Sequence, residues 1–289
     1  MLKTRYDLEE RMSTQLNEIK IGVLGSLTVE LDGTSIVPAA AKPRQILALL
    51  SLSPGRMIDV PALRQELWAE CPPRSASTTL QTYIRQLRVG ITAALDPGQD
   101  PKQLLHTNSI GYTLQAHRIS ADINEFERLA QIGRSAAEDG DHCQASVMFG
   151  RALALWRGQA LADVRHGRQL RLTATSFEQA RLSVYQRRID SDLALGRHVD
   201  LLAELNTLVV QYPTNEHFCA SRMTALYSAG YIERALGEFH RLRSALRAEL
   251  GIEPMPMLQK LHLALLSGTV IPGPMTSFGR GVASAASGD

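Results

Sequence analysis

Apolar residues along the chain follow two regimes. Up to about residue 114, short alternating runs are interleaved with helical spacing; from Ile123 onward helical spacing continues with hardly a break. Ile19–Leu24 reads as a strand, Leu27–Leu31 alternates at period two, and Asp32-Gly33 turns the chain into a return strand, Ser35–Val37. A helix opens at Lys42-Pro43-Arg44-Gln45 and runs through Leu52, where Ser53-Pro54-Gly55 stops it. Asp59 is placed to cap a second helix, Ala62–Ala69, with Pro61 suited to its start and Leu63, Leu67 and Trp68 as core. Cys71-Pro72-Pro73 then breaks the chain before a third helix beginning near Ser75. After a loop at Asp96-Pro97-Gly98, two short runs, Leu104–Thr107 and Tyr112–Leu114, flank Asn108-Ser109-Ile110-Gly111 and predict a β-hairpin.

The third helix differs from the first two. Leu80, Ile84, Leu87 and Ile91 form one apolar stripe, while the rest carries Ser77, Thr78, Thr79, Gln81, Thr82, Tyr83, Arg85, Gln86 and Arg88. Short hydroxyls, amides and guanidinium groups reach base edges and phosphates in a DNA major groove without bulk. Taken alone, the stretch also fits an ordinary surface helix. Its position discriminates: strands, two apolar helices, a polar helix and a hairpin, in that order, spell a winged helix-turn-helix with the hairpin as wing.

The second regime holds a period of its own. A glycine is followed at fixed offsets by one small or aliphatic residue and two further apolar ones. The sets are Gly140/Ala145/Phe149/Ala152, Gly196/Leu201/Leu205/Leu208 and Gly230/Ala235/Phe239/Leu242. Spacing between the last two glycines matches the tetratricopeptide repeat. Glycine permits a tight turn inside a helix pair, the small residue lets the helices approach, and the large one fills the gap between pairs. A generic helical bundle is the competing reading. The expected fold is mainly α with a small β part: an N-terminal winged helix-turn-helix followed by an all-α, tetratricopeptide-like helical domain.

Composition narrows the function. The chain has 289 residues and a net charge of +2. Residues 1–118 hold 13 Lys/Arg against 11 Asp/Glu, so the excess lies in the first domain, a modest basic patch suited to site-specific DNA binding. Cys71, Cys143 and Cys219 are odd in number and far apart, which suggests neither a disulfide framework nor a zinc ribbon. No signal-peptide core or membrane-length apolar run occurs, and a cytoplasmic location without membrane contact is expected. Gly22 and Gly25 lack the third glycine and the following helix of a dinucleotide fingerprint. Phosphate-loop, zincin and nucleophile-elbow motifs are absent, so no catalytic residue, metal ligand or cofactor is assigned and no enzyme is expected. His198, His217, His240 and His262 read as surface or repeat-packing residues, and Asp190 and Asp192, two apart on a helix, would diverge.

With those motifs in view, residues 19–115 resemble the OmpR-type winged-helix domain, and in particular that of the Streptomyces antibiotic regulatory protein family. The resemblance rests on Gly25 with Leu27 and Val29, Lys42-x-Arg44-x-x-Leu47-x-x-Leu50, Leu67-Trp68, Leu80-Gln81-Thr82-Tyr83-Ile84-x-x-Leu87-Arg88 and Gly111-Tyr112-x-Leu114. Residues 119–267 are similar to the bacterial transcriptional activation domain of the same family. There the matching runs are Ala152–Asp163, Leu193–Arg197, Glu204–Val209, Ala225–Tyr227 and Glu249–Pro254. Residues 1–18 form an extension compatible with a short helix or a frayed tail, and 268–289, rich in Gly, Ser and Ala, are expected to be disordered.

The resemblance implies a pathway-specific transcriptional activator of a secondary-metabolite (antibiotic) gene cluster. It implies double-stranded promoter DNA with direct repeats near the −35 element, RNA polymerase holoenzyme with its sigma factor, and a homodimer on DNA as partners. Base-reading positions would fall on Thr79, Thr82 and Gln86, with Arg88 on phosphate or base. Arg44, Arg85 and the wing at Thr107 and Asn108 would hold the backbone. Arg85-Gln86-Leu87-Arg88-Val89 departs from the Ser-Arg-Leu-Arg-Arg common in the family, so the DNA sequence preference does not carry over. Two other classes compete: a winged-helix repressor or ligand sensor, and a helical-repeat adaptor without DNA binding.

Overall fold

A computed structural model of the chain describes residues 17–268. The expected extension and tail therefore lie outside the described residues, except for Asn17, Glu18 and Gly268. Two compact units emerge: residues 17–127 together with 154–181, and residues 128–153 together with 182–268.

In the first unit β1 (Glu18–Gly22), β2 (Thr28–Leu31) and β3 (Thr34–Ser35) precede α1 (Ala41–Ser51). β4 (Ile58–Asp59), α2 (Val60–Trp68) and α3 (Ala76–Ala94) follow. Next come α4 (Pro101–Leu104), β5 (Leu105–Thr107), β6 (Gly111–Leu114), β7 (Arg118–Ala121) and the start of α5 (Asp122–Glu138). One sheet has the order β3-β2-β1-β7, the other β4-β6-β5. β1 lies antiparallel to β2, with Ile19 opposite Leu31 and Ile21 opposite Val29, and parallel to β7, with Ile19 opposite Ile119. Ile19, Val29 and Leu31 are fully buried, as period-two alternation requires.

The helix-turn-helix and hairpin stand where the apolar pattern puts them, with local corrections. The return strand is Thr34–Ser35 rather than Ser35–Val37: Ile36 still donates its amide to the Val29 carbonyl at 2.9 Å, but the strand ends there with the Ile36 side chain buried in the core. Leu104 closes α4 instead of opening the hairpin. β4 and β7 are too short or too polar to register as strands in a sequence pattern. The Asp59 carboxylate accepts from the Ala62 amide at 2.7 Å, so it caps α2 as expected.

Residues 154–181 return to the first unit across more than a hundred positions. Arg157 and Leu161 donate their amides to the Leu24 and Val23 carbonyls at 2.8 and 3.1 Å, and the Leu27 amide donates to Asp163 at 2.7 Å. Asp122 accepts from the Val23 and Leu24 amides and pairs with Arg157 at 3.0 Å. Glu66, 5 % exposed, takes the Gln169 and Leu170 amides at 2.7 and 3.2 Å. This carboxylate supplies acceptors to the orphan N–H groups opening α7 (Arg168–Ala194). Gly167 makes room for it: a Cβ there would lie 2.3 Å from the Glu66 carbonyl. Trp156 packs edge-on to Phe126 at 5.6 Å, and the Arg181 guanidinium lies 4.6 Å from the Trp156 ring centre.

The second unit continues with α6 (His142–Ala154), α8 (His198–Gln211), α9 (Glu216–Ser228), α10 (Ile232–Leu250) and α11 (Pro256–Ser267). Gly140, Gly196 and Gly230 each sit at positive φ (81°, 76° and 86°) between two helices. After each, the next amide reaches back to the carbonyl five residues earlier: Asp141 to Ala136, Arg197 to Asp192, Tyr231 to Leu226. That is the left-handed helix-ending turn which glycine adopts at least cost. Ala145, Phe149 and Ala152, like Leu201 and Leu205, Ala235 and Leu242, are buried in the pattern the repeat predicts. Asp190 and Asp192 do diverge: the first pairs with His217 at 3.1 Å, the second with Arg188 and Arg197 at 3.1 and 2.9 Å. Cys219 is buried and its thiol is pushed up to about 12, first of all by burial, which makes it inert packing rather than a nucleophile. Among the described residues no helix is long and apolar enough to cross a membrane.

Candidate nucleic-acid interface

α3 is held by one stripe. Ala76, Leu80, Ile84, Leu87 and Ile91 are each within 2 % of full burial, so the helix is seated along about four of its turns. Truncating a buried leucine in such a seat costs about 2–5 kcal/mol. Ser77, Thr78, Gln81, Thr82, Arg85 and Gln86 on the remaining surface are all exposed. Val89, beside them, is 64 % exposed.

Thr79, Tyr83 and Arg88 are only half-buried, and each has a side-chain partner in the fold. Thr79 Oγ1 lies 3.3 Å from Ser75 Oγ. The Tyr83 ring stacks on Trp68 of α2 with centroids 6.4 Å apart. On the Trp68 side the Lys42 ammonium lies 5.9 Å from the ring centre and donates to the Leu67 carbonyl. Burial, and then the Arg165 guanidinium, pull Lys42 below the ordinary lysine range. Lys42, Trp68 and Tyr83 thus form a brace that sets α3 against α1 and α2. Thr82 donates its hydroxyl proton to the Thr78 carbonyl at 3.0 Å, so toward a base it presents lone pairs and a methyl group.

The wing is fastened to α3 by Arg88, which donates to the Leu105 carbonyl at 2.9 Å and to Thr107 Oγ1 at 2.5 Å. Asn108 shapes the wing tip: its Oδ1 accepts from the Ile110 and Gly111 amides at 2.9 and 2.8 Å. Thr107 and Asn108 are exposed there beside Ile110. Gly111 lets β6 pass β4, since a Cβ on it would lie 2.2 Å from the Ile58 carbonyl. The exposed polar residues of α3 and the wing residues are therefore joined through the Arg88 guanidinium.

Arg44 stands apart from that surface. It donates to the Pro38 carbonyl at 3.1 Å and pairs with Asp163 at 3.0 Å, so its charge already has an acidic partner in the fold. The residues that periodicity did not single out are Glu66, Asp122 and Asp163, whose carboxylates fasten the return segment. Of the three only Asp163 lies in a run that carries the family resemblance, Ala152–Asp163, and that run is silent about which backbone it meets.

Comparison with known proteins agrees with this layout. The description "Transcriptional regulatory protein, C terminal" matches residues 34–114 and "Bacterial transcriptional activator domain" matches residues 121–266. The regulatory protein DnrI of Streptomyces peucetius is 44% identical over 250 residues, 86% of this chain and 92% of its own length. The transcriptional regulator RedD of Streptomyces coelicolor is 30% identical over 249 residues, 86% of this chain and 71% of its own. The solved chain of Mycobacterium tuberculosis EmbR, in complex with a low affinity phosphopeptide, is 30% identical. It superposes with a TM-score of 0.79 over 93% of this chain and 70% of that one.

Proposed function

Because the chain belongs to the Streptomyces antibiotic regulatory protein family of transcriptional activators, we propose that it activates a secondary-metabolite gene cluster by reading promoter DNA through α3. One observation carries the reading: six exposed polar residues on α3 back onto a fully buried stripe and adjoin a wing tied to the same helix. Gln86 and Gln81 bring carboxamides that pair with adenine edges, Thr78 and Thr82 meet thymine methyls or donor groups, and Arg85 serves guanine or phosphate. Ser77, Thr107 and Asn108 contact the backbone on either side. Two copies bind direct repeats next to the −35 element, head to tail, since a two-fold dimer would demand a palindrome instead. The bound pair recruits polymerase holoenzyme with its sigma factor.

Footprinting upstream of the neighbouring genes, with and without polymerase, tests this. Cooperative protection of two repeats beside −35 that strengthens with holoenzyme is the expected result. Protection that excludes polymerase would make the protein a repressor, and no protection would remove the DNA reading altogether. Gln86→Ala should relax base preference at one position by about 1–3 kcal/mol while leaving random-sequence affinity unchanged.

A further inference from the structure

Ser51 closes α1, and only 3 % of it is exposed, yet its Oγ has no hydrogen-bond partner. A helical serine can return its hydroxyl proton to the carbonyl four residues back, and a buried hydroxyl left unmet calls for a partner, water included. Ser51 belongs to the wall of a cavity of about 300 Å³ inside the first unit. The wall is otherwise largely apolar: Ile21 and Val23 from β1, Leu49 and Leu52 from the end of α1, and Phe177 from α7. Exposed Asn124 and Glu127 of α5 also line it, and Glu127 has no ion-pair partner among the described residues. An apolar hollow with a few convergent polar groups is the usual form of a small-molecule site, and this volume falls at the lower end of that range.

We propose that this cavity binds a small apolar amine. The hydrocarbon part lies against Ile21, Leu49 and Phe177, and the ammonium pairs with the Glu127 carboxylate. Charge selects the class: a carboxylate is the ionic group at this cavity, so a cation gains and an anion loses there. The site lies in the unit that carries α3 and adds a small-molecule partner to the DNA reading. It does not depend on that reading.

The test is calorimetric titration of the full chain with 2-phenylethylamine, 2-phenylethanol and phenylacetate, without DNA. Saturable one-to-one binding of the amine is expected, with the alcohol weaker and the anion weakest. Glu127→Gln, a change at an exposed residue, should bring the amine down to the alcohol, a loss of about threefold for a partly solvated ion pair. Thr173→Trp, which fills the cavity from α7, should abolish binding of both in a chain whose circular dichroism matches the parent. Binding that survives Thr173→Trp, or equal affinity for all three probes, overturns the proposal. Absence of saturable binding means that the cavity holds solvent alone, and overturns it too.

Discussion

Arg88 of α3 and Thr107 of β5 are bonded side chain to side chain, guanidinium to hydroxyl, at 2.5 Å. Helix and wing are therefore tied side by side, and removing the link separates two effects on the proposed DNA contact. Arg88→Ala should weaken binding to specific and random duplexes alike and flatten the plot of log affinity against log salt by about one unit. Thr107→Val removes this bond, leaving that to the Leu105 carbonyl, without removing a charge, so its salt slope should stay that of the parent. Gel-shift titrations across a range of salt read both; identical slopes in the two variants would show that Arg88 acts through the wing alone.

Glu66→Ala leaves the Gln169 and Leu170 amides without an acceptor in a nearly dry site. A loss of about 2–3 kcal/mol in urea unfolding is expected, and Glu66→Gln, which keeps one acceptor oxygen, should lose less than half of it. Equal losses in the two variants would mean that the charge itself, rather than the acceptor, holds the opening turn of α7.

Gly111→Ala drives a Cβ into the Ile58 carbonyl. Either β4 separates from β6 or the wing shifts, at a cost of about 1–3 kcal/mol. Proteolysis should then cut between residues 105 and 114 in the folded variant and not in the parent.

His262 lies flat against Phe239, with centroids 4.1 Å apart. Burial, and then the neighbouring His240, hold its imidazole below the usual histidine value of 6.5. Below that pH the unfolded chain takes up a proton that the folded imidazole resists, so this contribution is complete above about 6.5 and declines as the pH falls through the lowered value. His262→Phe keeps the stack and removes the titration. Urea midpoints measured from pH 8 to pH 5 should fall less steeply in that variant; parallel curves would assign the pH dependence elsewhere.

How much of this was legible in the amino-acid order depends on range. The α3 stripe was, because Leu80, Ile84, Leu87 and Ile91 report a local period that burial then satisfies. So were the turns at Gly140, Gly196 and Gly230, whose backbone conformation is itself a local property. β4 and β7 were not: two to four residues carry too little alternation, and β7 exists because Glu18–Ile21 offer it a parallel edge. The direction of Arg44 was equally hidden, since its partner Asp163 lies 119 positions away and only the fold brings the two together. Exposure of Ser77, Thr78, Gln81, Thr82, Arg85 and Gln86 followed from the period, whereas the inward partners of Tyr83 and Arg88 did not.

The return of residues 154–181 has a consequence for synthesis. α3 is translated early, but Leu27 and the opening sheet wait for Asp163, 136 residues later, and Glu66 waits more than a hundred for Gln169. Contacts of such separation delay folding, because the intervening chain must be confined before they form. On the ribosome the first unit should therefore mature only after residue 181 has left the exit tunnel, with α5 and α6 already outside. A fragment cut at the end of the hairpin would hold α3 but lack the segment that fastens its sheet, and would be a poor stand-in for the DNA-reading unit.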